Sequence, residues 1–172
     1  MTNEGASATS GREHPLGLQT LFVERSVTGK NTNRKGPLLS HEIHFQFDHT
    51  RNRAWRLHVD AATGKVLERQ ALDTVHLPLS TAEIAWATAL IAADDELLER
   101  LRDEQRADGR AVFEHVGELD MKAIIHEPTD ASDPCAHERC ALIALFDQSR
   151  TVFSIEPVVH FASARIRLPE SR

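Results

Sequence analysis

Residues 41–60 have the sequence HEIHFQFDHTRNRAWRLHVD, and this stretch decides the fold class. Apolar and polar side chains alternate in its first eight residues and again in residues 54–60, which is typical of strands that bury one face. The polar link at residues 49–52 is as short as a β-hairpin connection. We therefore predict a hairpin with one apolar and one wet face. The predicted apolar face comprises Ile43, Phe45, Phe47, Trp55, Leu57 and Val59.

Further strands flank this hairpin on both sides. Residues 18–27 alternate loosely and contain Leu, Phe and Val, so they are predicted to form a strand. The polar residues 28–37, with two glycines and a proline, are predicted to be a loop. A turn at residues 60–64 allows residues 65–71 to return as another strand. The first part of the chain is therefore predicted to be an antiparallel meander.

The hydrophobic period changes from two to that of a helix after residue 79. The sequence STAE at residues 80–83 has the form of a capping box, with a hydroxyl at the N-cap and a carboxylate three residues later. Asp94 and Asp95 can cap a second helical stretch, and Gly109 ends it. We predict one kinked helix or two consecutive helices within residues 81–107. Their apolar stripe comprises Ile84, Ala87, Leu90, Ile91, Leu97, Leu98 and Leu101.

The period of two returns after the helices. Strands are predicted at residues 112–126, as one long strand or one broken around Gly117, and at 140–147, 152–161 and 162–168. Pro157 requires an edge position or a bulge, because proline has no backbone N–H to donate. The chain is therefore predicted to have an α+β fold, in which one or two helices pack on antiparallel β-meander sheets.

Two similar pentapeptides indicate an internal duplication. FDHTR at residues 47–51 and FDQSR at residues 146–150 each follow an apolar alternating strand and precede another. The predicted organisation is a flexible tail at residues 1–17, a first antiparallel sheet unit at 18–75, and a helix plus antiparallel sheet unit at 76–172.

Composition excludes several classes of protein. The 172 residues are 41% hydrophobic, which suffices for a packed core, and no apolar run approaches the roughly 20 residues that cross a bilayer. A net charge of −6 argues against nucleic-acid binding. The first 17 residues lack the features of a secretory signal, so we expect a cytoplasmic protein without membrane or nucleic-acid partners.

Four stretches carry a resemblance to a known family. They are LSTAEI with ALIAADDEL at residues 79–84 and 89–97, IHEP at 125–128, RCALIALFD at 139–147, and the pair VD and GKV within 53–66. These stretches resemble the opening helix and the strands of the small amino-terminal domains of copper amine oxidases. The resemblance covers about residues 41–168 and implies a cystatin-like fold.

The chemistry of that family is not implied. Its topaquinone cofactor is made from a tyrosine, and this chain contains no tyrosine. Its copper is held partly by a His-x-His pair, and no two histidines here are two positions apart. The resemblance therefore implies a cystatin-like fold and argues against amine oxidation, so we assign no catalytic or cofactor-binding residue and favour a protein that is not an enzyme.

The strongest candidate metal ligands lie within residues 126–140. Zinc or copper takes nitrogen and sulfur ligands, and His126, Cys135, His137 and Cys140 supply both. Two alternatives stay open: the cysteines form a local disulfide, or they are inert buried thiols. A weaker candidate is the pair His44 and His58, predicted side by side on the polar faces of the hairpin strands, where a solvated sheet face is the alternative.

Three functions are compatible with these patterns. The first is a non-catalytic association module that forms a homo-oligomer or binds a larger protein, because the first sheet has no helix of its own to cover it. The second is a cone-shaped small-molecule-binding or enzymatic domain. The third is a small metal-binding protein. The residues predicted to line the cavity of such a cone are Phe45, Phe47, Trp55, Leu57, Leu145 and Phe153.

Overall fold

The computed structural model describes residues 14–27 and 40–168 of the chain. Within these residues the fold is α+β, as predicted, with two four-stranded antiparallel sheets and two helices. Its elements are β1 (Leu18–Val27), β2 (Ser40–Asp48), β3 (Arg53–Asp60), β4 (Val66–Leu72), α1 (Thr81–Ala92), α2 (Asp95–Ala107), β5 (Asp120–Ile125), β6 (Cys140–Phe146), β7 (Val158–His160) and β8 (Arg165–Arg167). Short 3₁₀ helices occupy Val116–Glu118 and Pro134–Ala136.

Each sheet is a meander, with strand orders β1-β2-β3-β4 and β5-β6-β7-β8. The two matching pentapeptides occupy equivalent places, because each follows the second strand of its sheet. Asp48 accepts hydrogen bonds from the backbone N–H of Thr50 and Arg51, and Asp147 accepts one from the N–H of Thr151. In both places an aspartate accepts backbone N–H groups of the turn that follows it, but the two turns differ, because the donors are two and three residues after Asp48 and four residues after Asp147.

The helical region consists of two consecutive helices, which was one of the two predicted forms, the other being a single kinked helix. The capping box is present: the Ser80 hydroxyl accepts from Glu83 N at 3.2 Å, and the Glu83 carboxylate accepts from Ser80 N at 2.6 Å. Asp94 caps α2 by accepting from Leu97 N at 3.0 Å. Gly109 follows α2 with a φ of +66°, a conformation that favours glycine.

Three of the predicted strands are wrong over most of their length, and the last of them, 162–168, is a strand only at Arg165–Arg167. Only the end of 112–126 is a strand, because the carboxylate of Glu118 accepts from the N–H of His115 and stabilises a 3₁₀ turn there. Only the end of 152–161 is a strand, because Pro157 lies before it and has no N–H for a regular ladder. The predicted loop at 28–37 and the first thirteen residues of the predicted tail lie outside the described residues.

The hydrophobic core lies between the helices and the second sheet. Its members are Ala87, Ile91, Leu97, Leu98, Leu101, Phe113, Leu119, Ala141, Ile143, Leu145, Phe153, Val159 and Phe161. None of the described residues of the first sheet belongs to this cluster. The first sheet therefore has only a few buried apolar residues of its own, namely Phe47, Ala54, Leu57 and Val59.

The faces of the first sheet differ from the prediction. The register pairs His44 with Leu57 and Ile43 with His58, so the apolar residues of β2 and β3 lie on opposite faces. The predicted single wet face is wrong, because each face carries both apolar and polar side chains. His44 and His58 consequently lie on opposite faces, and the prediction that they stand side by side is wrong.

No helix among the described residues is long and apolar enough to span a membrane.

Candidate functional site

The two cysteines form a disulfide, which was one of the alternatives left open by the sequence. Cys135 lies in the 3₁₀ helix Pro134–Ala136, where the carboxylate of Asp133 accepts from Cys135 N at 2.9 Å. Cys140 begins β6, and both cysteines are fully buried. The imidazole of His76 donates to the carbonyl of Cys135 at 2.9 Å and holds the turn in place.

A histidine that was not among the predicted ligands completes this cluster. His160 lies on β7 directly opposite Cys140, and its Nδ1 is 3.6 Å from Cys140 Sγ and 3.8 Å from Cys135 Sγ. The same Nδ1 donates to Glu138 Oε1 at 2.6 Å. We call Cys135, Cys140, Glu138 and His160 the cysteine–histidine cluster. Its two sulfurs and imidazole form a buried group of donor atoms that could hold a metal ion.

The other two predicted ligands lie elsewhere. The carbonyl of His137 accepts from Asn52 Nδ2 at 2.8 Å, and the group of close donor atoms does not include the His137 imidazole. The side chain of His126 lines a neighbouring cleft, where burial lowers its pKa against the opposing effect of the Asp133 carboxylate. The structure therefore brings together Cys135 and Cys140 and replaces both predicted histidines by His160.

A cleft of about 1010 Å³ lies beside the cysteine–histidine cluster. Leu142 and Val158 line it and also pack against the disulfide. Arg167, another lining residue, donates to Asp133 at 2.7 Å. The predicted cavity between helix and sheet is a different place, since Leu145 and Phe153 are packed in the core.

A second cluster of polar groups is buried where the two sheets and α1 meet. Arg139 and Glu83 are both fully buried, and the guanidinium Nε donates to Glu83 Oε1 at 2.5 Å. All five guanidinium N–H groups are used: two go to Glu83, and three go to the carbonyls of Val75, Leu77 and Pro78. We call Arg139, Glu83 and His49 the buried ion-pair cluster.

His49 joins the first sheet to this cluster. Its Nε2 donates to Glu83 Oε1 at 2.9 Å, and its ring stacks on His14 at 4.9 Å. The Arg139 guanidinium also lies over the ring of Phe47, at 4.9 Å from its centroid. His14 in turn donates to the carbonyl of Phe161 at 2.8 Å. These contacts connect the end of β2 to the helix and to the second sheet.

The charge state of Glu83 follows from these partners. Burial raises the pKa of its carboxyl, but hydrogen bonds from His49 and Arg139 outweigh that effect and lower the pKa from 4.5 to about 2. The group is therefore an ionised structural carboxylate. A general acid or base would need a pKa near neutrality and access to a substrate.

We expect acid to weaken the fold through this carboxylate. Its folded pKa lies below its ordinary value, so its stabilisation is present above pH 4.5 and is lost as the pH falls towards 2. The contribution is about 3 kcal/mol. Urea unfolding at several pH values measures it, with Glu83→Gln as the comparison. Equal pH dependence of the free energy of unfolding in both proteins would contradict the assignment.

No family model matches the chain, and a search of curated proteins also finds no match.

Proposed function

We propose that the protein is a cytoplasmic, non-catalytic association module, similar to the cystatin-like amino-terminal domains of copper amine oxidases, whose first sheet binds another protein surface. The observation that carries the proposal is the first sheet itself. It is a four-stranded meander, yet none of its described residues belongs to the hydrophobic cluster between the helices and the second sheet. In protein domains, a sheet that presents apolar side chains normally packs against another layer of secondary structure.

Exposed apolar side chains on one face of the first sheet favour that face as the docking surface. Val23 and Val66 are 40% and 46% exposed and lie on the same face as Trp55 and Leu57. Arg69 from the neighbouring strand lies over the Trp55 ring at 3.8 Å. An aromatic residue and an arginine surrounded by aliphatic residues are the composition of protein–protein contact centres. We call Val23, Trp55, Val66 and Arg69 the docking face.

The proposed partner is a second copy of the chain, since symmetric homodimers are the commonest oligomers. A larger protein is the alternative partner. A twofold axis through the docking face would bring Val66 and Trp55 of both copies into one contact and remove their apolar surface from water.

We expect the protein to have twice the 19.2 kDa mass of one chain in size-exclusion chromatography with light scattering. Val66→Glu should convert it to a monomer, because a buried carboxylate without a partner is strongly unfavourable. Ile124→Glu is the matched control, since Ile124 is also exposed but lies on the second sheet. A wild-type protein that stays monomeric at high micromolar concentration, or a dimer unaffected by Val66→Glu, would count against this face.

Small-molecule binding is a second candidate function, which the cleft of about 1010 Å³ favours. Its walls combine apolar residues such as Ile155 and Leu168 with the charged Arg100, Glu156 and Arg167. Such a mixture of apolar walls and a few polar groups is typical of ligand pockets.

Metal binding is a third candidate function, which the cysteine–histidine cluster favours. Two sulfurs and one imidazole suit zinc or copper. Burial supports a structural ion, because a metal that only holds the fold together needs no open position for a substrate.

A further inference from the structure

The disulfide and a metal ion compete for the same two sulfur atoms. Only a thiolate is a good ligand, and neither sulfur is a thiolate while Cys135 and Cys140 are bonded to each other. We propose that the cysteine–histidine cluster is a redox-controlled zinc site, which binds one Zn²⁺ as the dithiol and releases it as the disulfide. This inference rests on the metal-binding function proposed above and adds Glu138 as the fourth ligand.

The position of His160 already suits a zinc ligand. Tetrahedral zinc with ordinary bond lengths separates a sulfur from a nitrogen ligand by about 3.6 Å. The distances from His160 Nδ1 are 3.6 Å to Cys140 Sγ and 3.8 Å to Cys135 Sγ. Both sulfurs therefore already lie at about ligand–ligand distance from Nδ1, and zinc binding requires the separation of the two sulfurs to about 3.8 Å and the loss of the Nδ1–Glu138 hydrogen bond.

Glu138 is the natural fourth ligand because its carboxylate already reaches the same nitrogen. Its Oε1 lies 2.6 Å from His160 Nδ1, whereas a carboxylate oxygen and an imidazole nitrogen on one zinc ion are about 3.3 Å apart. The Glu138 side chain is partly exposed, so it can withdraw by this small distance. The proton that Nδ1 now donates to Glu138 would leave when the metal binds.

The charge balance of the reduced cluster favours a cation. Without a metal the two buried thiols would stay protonated, because two thiolates and the Glu138 carboxylate together would place three negative charges beside the imidazole. The neighbouring Arg139 cannot neutralise them, because all of its N–H groups are used by Glu83 and three carbonyls. A divalent cation supplies the missing positive charge.

Atoms and electrons balance for both the reduction and the oxidation of the two cysteines. Two molecules of a small thiol such as glutathione give two electrons and two protons to the Cys135–Cys140 bond, which breaks as their own disulfide forms. Zn²⁺ then displaces the two thiol protons as the zinc–sulfur bonds form. In reverse, hydrogen peroxide takes two electrons from the two thiolates, the sulfur–sulfur bond forms, and peroxide and two protons become two water molecules as Zn²⁺ leaves.

The buried sulfurs lie close to the neighbouring cleft but do not line it. Leu142 and Val158 separate the disulfide from the cleft by one layer of side chains. In the proposed cytoplasmic compartment thiols are kept reduced, so the zinc-bound form would predominate until an oxidant appears.

The test is the zinc content of the full chain, made without a histidine tag, in both redox states. After incubation with zinc sulfate and removal of free metal, we expect about one zinc per chain after reduction by a phosphine, and less than about a tenth after oxidation by diamide. Elemental analysis gives the zinc, and a thiol assay in denaturant confirms the redox state. Co²⁺ in place of Zn²⁺ should give the visible spectrum of a tetrahedral thiolate site.

Single substitutions identify the ligands. Glu138→Gln and His160→Gln should each weaken zinc binding by the reduced protein about tenfold or more. The matched controls His126→Ala and His137→Ala should bind zinc as the wild type does. Circular dichroism melting curves verify that each variant is folded, and the Glu138 variant remains informative if the His160 variant unfolds.

Each result is decisive. Absence of zinc from the reduced protein overturns this inference together with the metal-binding function. Equal zinc in both redox states overturns the redox control and leaves metal binding standing. If Glu138→Gln and His160→Gln leave zinc binding by the reduced protein unchanged, the proposed set of ligands is wrong. None of these three results affects the association proposed for the first sheet.

Discussion

Replacing Arg139 by methionine is expected to lower the free energy of unfolding by about 3–5 kcal/mol. The substitution leaves the Glu83 carboxylate buried without its cation, and it removes the donors to the carbonyls of Val75, Leu77 and Pro78. Urea unfolding followed by circular dichroism measures the change. Arg106→Met is the matched control, since Arg106 pairs with carboxylates on the exposed side of α2 and its loss should cost at most about 1 kcal/mol.

A second substitution separates the buried charge from lost packing. Arg139→Met combined with Glu83→Gln should be more stable than Arg139→Met alone, because no unpaired charge remains in the interior. An Arg139 variant that loses no more stability than the Arg106 variant would show that the interior ion pair contributes nothing. A double variant less stable than Arg139→Met alone would show that the charge is not the cause.

Replacing Phe161 by alanine is expected to cost a similar amount, about 3–5 kcal/mol. Phe161 is fully buried, and its ring lies 5.5 Å from the rings of both Trp86 and His49. Removing it creates a cavity at the meeting point of the first sheet, α1 and the second sheet. The thermal midpoint and the free energy of unfolding both report the loss.

Val152→Ala is the control for this prediction. Val152 is 51% exposed, so its truncation should change the free energy of unfolding by no more than about 0.5 kcal/mol. Similar losses in the two variants would mean that the contacts of Phe161 add no stability at this meeting point.

The local elements of the fold were predictable because their signals are local. The capping box at Ser80 and the aspartate at position 94 define the starts of the two helices, and hydrogen bonds within four residues make both caps. The pattern of residues 41–60 predicted both strands for the same reason.

The prediction of the sheet faces was wrong because it did not take into account the number of residues that link β2 to β3. The large apolar residues of β2 and β3 are all odd-numbered, and the hairpin pairs Asp48 with Arg53 across four link residues. Pairing across an even number of link residues places odd positions of one strand opposite even positions of the other. Alternation within each strand was therefore correct, while the relative orientation of the strands depended on the length of the turn.

Local sequence patterns could not predict the cysteine–histidine cluster or the buried ion-pair cluster, because the members of each are distant in the chain. His160 reaches the cysteines only through the pairing of β7 with β6, and that register was not predictable from alternation. Glu83 was recognised as a cap, but its pairing with Arg139 spans 56 residues and gives no periodic signal. The sequence offered one hint, an arginine directly before the apolar strand β6.

The dependence of the first sheet on the ion-pair cluster has a consequence during synthesis. Ribosomes make the chain from its amino terminus, so β1 to β4 emerge before Glu83 and long before Arg139. For that interval the nascent sheet has neither a core nor the groups that anchor it, and its exposed edges can pair with another chain. Completion of this half must wait for residues about 70 positions further along, which makes the unfinished polypeptide a natural client for chaperones.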